Sequence, residues 1–396
     1  MLSREEMRQV ERSLVNHEQD TRDEIGFLLI HQGFADRFFP GTSVLHTRIR
    51  YALFVPWIYQ RAASSRRRGS DLDATIRRLL IELAIRLKQR GSEPRDVIGG
   101  DKLGQLTSQP PDRVYWTALR EWRLLCRGVD SRSEALRRLQ SHASSSAMDD
   151  DGGRIDDDDT EVFTVNKPPA GWEDDTQPLH FKLAKEDREF LRMKLSQVTR
   201  PGETALSLLA RLVRAGDSFQ DSSWRLPEEL DARADDMDKL ALRVARDAAA
   251  LAAIGRAVYG ALVERLRAAD GGPDDSKYRT LLRDHFARFG EAAARCDLDA
   301  AETFLPDLPA QVKAAIRATQ AYVRQGNPER FSTLQVCYKD VEYKRKLKRA
   351  RLTDTPFSAQ RRAEWDPERH NTTPLHYRWY IVRSMLNDLS VNSGLP

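Results

Sequence analysis

From about Ala232 to Ala269 the chain is dominated by alanine, leucine, arginine and glutamate, with Leu242, Ala249, Ala253, Ala257 and Leu262 along much of its length. Such a stretch has high intrinsic helix propensity, so a long helix is the first fixed point of any fold this chain adopts. Gly255 and Gly260 interrupt it, each lowering local stability by about 1 kcal/mol relative to alanine. They flank Val258 and Tyr259 in an alanine-rich segment, and close helix packing explains them more simply than a ligand site.

Other segments carry the same period. Thr21-Arg22-Asp23-Glu24 has the form of a capping box before Ile25, Leu28, Leu29 and Gln32, with Pro40-Gly41 as the stop. The segment Ile49 to Tyr59 offers a large buried surface, although Pro56 leaves it between a kinked helix and two short elements. Ile76, Leu79, Leu80, Leu83, Ile85 and Leu87 recur at helical spacing up to Gly91, and another helix follows Pro111. Later runs include Leu206 to Val213, Tyr278 to Phe289 ended by Gly290, Val312 to Val323, and Leu375 to Leu389. No βαβ alternation or fixed repeat is present, which disfavours doubly wound nucleotide folds and solenoids. The expected class is mainly α: a multi-helix, two-part architecture with room for small β or winged-helix-like elements.

With 396 residues, the chain is long enough for two to three packed units. The clearest break is the Ser/Asp-rich stretch 141–175, containing Asp149-Asp150-Asp151-Gly152-Gly153 and Asp156 to Asp159. Little apolar area there offsets the roughly 1 to 2 kcal/mol per residue lost on ordering, and adjacent carboxylates repel one another. It reads as an acidic disordered linker between an N-terminal helical domain, 1–140, and a C-terminal one, 176–396.

The formal charge is +4, from 64 Lys and Arg against 60 Asp and Glu, so attraction to polyanions must be local. Cys126, Cys296 and Cys337 form neither a CxxC pair nor an even disulfide set. No run approaches the roughly 18 apolar residues of a membrane span, and the start lacks a signal-peptide pattern. A cytoplasmic protein without membrane contact is the expectation, and no cofactor or metal motif is found.

Two basic clusters stand out: Arg61 with Arg66, Arg67 and Arg68, and the run Lys344, Arg345, Lys346, Lys348, Arg349 and Arg351 with Tyr343 alongside and Tyr338 nearby. Such a run can neutralise backbone phosphates while a ring stacks on an unpaired base; the opposing reading is a solvated helix face. Around Pro40-Gly41, Asp36 lies close in sequence to Arg48 and Arg50. An arginine–carboxylate bridge fixing the loop is one reading. A phosphate held by either arginine with Thr42 or Ser43 is the other. Glu342-Tyr343-Lys344 after the strand-like run Gln335 to Tyr338, with Pro306-Asp307 upstream, resembles a loose nuclease pattern, in which carboxylates hold magnesium and lysine assists water. Neither a serine-hydrolase elbow nor HExxH occurs, and no catalytic constellation is assigned.

The patterns Phe34-Ala35-Asp36-Arg37-Phe38-Phe39-Pro40-Gly41-Thr42-Ser43, Thr47-Arg48-Ile49-Arg50-Tyr51, Phe54 to Tyr59, Val114-Tyr115-Trp116, Lys348 to Leu352, Trp365 and Tyr377-Arg378-Trp379 resemble an uncharacterised bacterial family, DUF6361. The resemblance implies an accessory protein encoded near phage-defence genes, with no reaction or catalytic residues to carry over. Together, cluster and resemblance lead to the expectation of a defence accessory protein that binds DNA or RNA, a helicase or nuclease partner, or both. A protein-binding scaffold without nucleic-acid contact and a magnesium-dependent nuclease are the alternatives.

Overall fold

The computed structural model describes residues 23–65, 71–89, 96–145, 161–220 and 225–390. Among them run fourteen α-helices: α1 (Phe27–Phe38), α2 (Tyr51–Ser64), α3 (Leu72–Gln89), α4 (Pro111–Glu121), α5 (Arg132–Ser145), α6 (Lys185–Leu195), α7 (Leu208–Ala215), α8 (Asp236–Ala269), α9 (Lys277–Arg295), α10 (Leu298–Phe304), α11 (Ala310–Arg324), α12 (Gln335–Lys346), α13 (Pro356–Ala363) and α14 (Trp379–Leu389). The mainly helical class is as expected. No strand occurs among the described residues; pairing there is confined to the isolated bridges Leu125–Phe163 and Thr199–Leu206, and no β or winged-helix-like element is seen. No helix of the described residues is long and apolar enough to cross a membrane.

Two compact units emerge, and both are discontinuous in sequence. Within the described residues, 23–34, 225–231 and 235–377 make the first, and 35–220, 232–234 and 378–390 make the second. This differs from consecutive halves divided at 141–175, because residues 176–220 and 378–390 pack with the earlier part of the chain. Of the expected linker, 146–160 lies outside the described residues. In its remainder Val162, Phe163 and Trp172 are buried, while 167–171 and 173–175 are exposed.

The first unit is organised by α8, 34 residues long, whose N-terminus is capped by Asp235 accepting the Asp238 N–H at 2.9 Å. Helix α9 packs along it. The two glycines of α8 are contact points: a Cβ on Gly255 would overlap the Phe27 ring of α1, and one on Gly260 would lie 2.5 Å from the Tyr278 ring of α9. Helix α9 runs through Gly290 instead of ending there, since one glycine costs a helix only about 1 kcal/mol relative to alanine. Gln335 to Tyr338, which looks strand-like in sequence, is the first turn of α12; Tyr338 and Val341 are buried at helical spacing behind the 3-10 turn Pro328–Leu334.

The second unit is centred on α2. Every residue from Tyr51 to Tyr59 is buried, and Pro56 sits inside one helix. Helices α3, α4 and α5 pack on it. Trp172 stacks on Phe54 with ring centres 5.7 Å apart and meets Trp57 edge-on at 5.2 Å. That contact, with the Trp57 Nε1 donating to the Asn166 carbonyl at 2.7 Å, orders the segment after the acidic stretch.

Overpacking of a tight helix contact typically costs about 1–3 kcal/mol, more than the roughly 1 kcal/mol that alanine gains over glycine in a helix. Gly255→Ala and Gly260→Ala should therefore lower stability in denaturant melts. Gly290→Ala, with nothing within 4 Å of the new methyl, should leave stability unchanged or raise it.

Candidate nucleic-acid interface

The basic run at the end of α12 separates into an inner and an outer set. Arg345 pairs with Asp23 at 3.0 Å, Lys346 with Glu24 at 3.1 Å, and Arg351 with Glu24 at 3.5 Å. Lys346 is only 7% exposed. Burial raises the Asp23 carboxyl above its ordinary value despite Arg345. For Glu24, burial also pushes upward, but Lys346, then His370 and Arg351, outweigh it and hold the carboxyl below the usual range.

Glu342, proposed from sequence as a metal-holding carboxylate, faces inward. It is 0% exposed and accepts from the Tyr259 hydroxyl at 2.6 Å and from the backbone N–H groups of Arg351 and Leu352 at 3.0 and 2.8 Å. Burial lifts its pKa. The carboxylate thus ties the segment after α12 to α8. Tyr338 also turns inward, its hydroxyl 2.8 Å from the Thr319 hydroxyl, and adds no surface ring.

Outward lie Tyr343, Lys344, Leu347, Lys348 and Arg349. Among the described residues no acid stands within ion-pair distance of Lys344, Lys348 or Arg349. Leu347 ends α12 with φ 50° and ψ −124°, a backbone state that side-chain-bearing residues rarely adopt, and begins the 3-10 turn Leu347–Arg349. Of the other cluster, Arg66, Arg67 and Arg68 lie outside the described residues, and Arg61 pairs with Glu82 at 3.4 Å and Asp175 at 2.6 Å.

The loop after α1 is fixed by an arginine, though by neither of the two expected. Arg378 reaches Asp36 at 2.6 Å and the Thr42 carbonyl at 2.7 Å. Arg48 instead makes a two-pronged pair with Asp388 at 3.0 and 2.5 Å and a third contact with Asp96 at 3.1 Å. Arg50 donates to the carbonyls of His180 and Lys182, each at 2.7 Å. The Thr42 hydroxyl donates to the Phe39 carbonyl at 2.7 Å, and the Ser43 hydroxyl accepts the Leu45 N–H at 3.3 Å. These groups act on their own chain, and the geometry favours the bridging role over a phosphate cradle. Deeper in the same loop, His46 stacks on Tyr115 at 4.1 Å and meets the Val114 carbonyl at 3.0 Å; burial pushes its pKa down to about 3.

Sequence reasoning missed Asp23 and Glu24 as partners of the basic run. Asp23 accepts the Gly26 N–H at 2.9 Å in the turn before α1, while Thr21 of the expected capping box lies outside the described residues; no local pattern announces an ion pair across more than 300 residues. His370 is within 2.8 Å of the Arg256 carbonyl, beside Tyr259. Among the described residues no group of three or more His, Cys, Asp and Glu side chains gathers as a metal site.

A family model of unknown function, DUF6361, matches residues 2–308. The chain belongs to DUF6361. No curated protein and no solved structure matches it. The matched span contains the 34–59 and 114–116 patterns and ends before the basic run, so the patterns at 348–352, 365 and 377–379 lie beyond it.

For this DUF6361 chain, Glu342→Ala should cost about 3 kcal/mol of folding stability, because the buried Tyr259 hydroxyl and Leu352 N–H and the part-buried Arg351 N–H lose their acceptor. Denaturant melts read this, and wild-type stability would contradict the anchoring role. For His46 the folded-state pKa of about 3 lies below the unfolded value of about 6.5. The unfolded chain therefore takes up the proton first as pH falls, and stability drops by up to ~1.4 kcal/mol per pH unit through that window. In His46→Gln that slope disappears, so the gap between variant and wild type should narrow from pH 7 to pH 5.

Proposed function

We propose that this protein binds nucleic acid through Lys344, Lys348 and Arg349, with Tyr343 at the same surface, as an accessory component of bacterial anti-phage defence. The observation that carries this reading is the division of the basic run. Its inner cations are matched by Asp23 and Glu24, whereas the outer three are exposed and form no ion pair among the described residues, although the exposed Asp340 stands one helical turn before Lys344. On a chain whose formal charge is only +4, such a local surplus is what draws a polyanion. The resemblance to a family encoded near phage-defence genes supports the biological setting and a helicase or nuclease as working partner. It says nothing of the patch itself, which lies past the family match.

A protein-binding scaffold is the second reading, supported by the exposure of Val336, Tyr343, Leu347 and Phe357. Magnesium-dependent cleavage through Glu342 has less support, since that carboxylate would first have to leave three donors.

The test is binding of labelled DNA and RNA at several salt concentrations. Neutralising Lys344, Lys348 and Arg349 to glutamine should weaken binding and reduce the slope of log K against log salt by about two to three. Unchanged binding by the folded triple variant would reject this surface. Copurification of a helicase or nuclease that survives nuclease treatment, without direct nucleic-acid binding, would favour the scaffold.

A further inference from the structure

Resting on the nucleic-acid reading, we infer that the ligand of this surface is a single strand, whose bases lie on the exposed stripe Val336–Tyr343–Leu347 while Lys344, Lys348 and Arg349 hold its phosphates. Val336, Tyr343 and Leu347 are 66%, 52% and 61% exposed. Val336 and Tyr343, seven residues apart, share one side of α12 with the exposed Asp340 between them, and Leu347 projects from the turn that ends the helix. Phe357, 65% exposed, stands on α13, which packs against the Leu347–Arg349 turn. Phosphates alone give these apolar groups nothing to bind. A duplex keeps its bases stacked inside and would present sugar and phosphate to the stripe. A single strand offers a π-face at every base, and an aromatic ring beside cations is the usual sequence-tolerant platform for it.

Two features of the backbone support a built surface. Glu342 inside, Tyr343 and Lys344 outside, Arg345 and Lys346 inside, Leu347 to Arg349 outside, Ala350 and Leu352 inside: the inward members are fixed by packing or by buried carboxylates. The outward ones are thereby held in place before any ligand arrives, which lowers the ordering cost of binding. Leu347 adds the second feature. Its positive φ is a strained state for leucine, and the side chain so placed points into solvent instead of a core. Folding gains little from that arrangement, whereas a ligand-facing apolar group does.

The experiment compares binding of the full chain to a labelled oligothymidylate of about 20 nucleotides and to a duplex of the same length by fluorescence anisotropy. The strand should bind at least about tenfold more tightly. Tyr343→Ala should weaken strand binding by about tenfold and leave duplex binding within about twofold, while Tyr343→Phe, which keeps the ring, should bind as wild type. Leu347→Gly should melt no lower than wild type, since glycine accepts the positive φ, yet bind the strand more weakly. Equal or tighter duplex binding, or a Tyr343→Ala loss shared by both ligands, would overturn the single-strand inference and leave nucleic-acid binding standing. Failure of the folded wild-type chain to bind either ligand would overturn both.

Discussion

Buried carboxylates are the constraint on which the C-terminal part of the first unit depends. Glu342 enters an apolar interior and is tolerated only because a hydroxyl and two backbone donors converge on it. Glu24 is in the same position, flanked by Lys346 and Arg351. Removing either acid would leave donors or cations stranded away from water, which costs more than the pair itself contributes. The path of the chain from Glu342 to Leu352 is therefore set from beneath, and its outward side chains follow from that.

The same arrangement accounts for the local charge. Six basic residues between 344 and 351 suggest one broad positive surface, but half of them balance acids inside the unit. What reaches solvent is smaller and mixed in character: cations interleaved with a tyrosine ring and a leucine. A purely solvated helix face would show charges and few large apolar groups, whereas this face shows both.

Helix positions were largely legible because each rests on local information: the alanine-rich α8, the periodic α3, and the stop at Pro40-Gly41. Local rules misled where a wider context overrode them. One glycine weakens a helix without ending it, so α9 continues through Gly290, and Gln335 to Tyr338 enter a helix in which Tyr338 and Val341 are buried at helical spacing. The unit boundaries and the site were less legible still. Asp23 with Arg345, Asp36 with Arg378 and Arg48 with Asp388 join positions more than 300 residues apart, and no periodicity encodes such partners. Composition marked Asp149 to Asp159 as acidic, but it could not show that Trp172, just beyond, packs on Phe54.

The central claim is that inner and outer basic residues have different jobs, and amine-reactive footprinting read by mass spectrometry tests it most directly. Lys346, held against Glu24 and nearly closed to solvent, should stay unlabelled with or without polynucleotide, whereas Lys344 and Lys348 should label readily in the free protein and become protected when single-stranded DNA is added. Labelling of Lys346 as fast as Lys344, or no protection of Lys344 and Lys348 at saturating strand, would contradict the account.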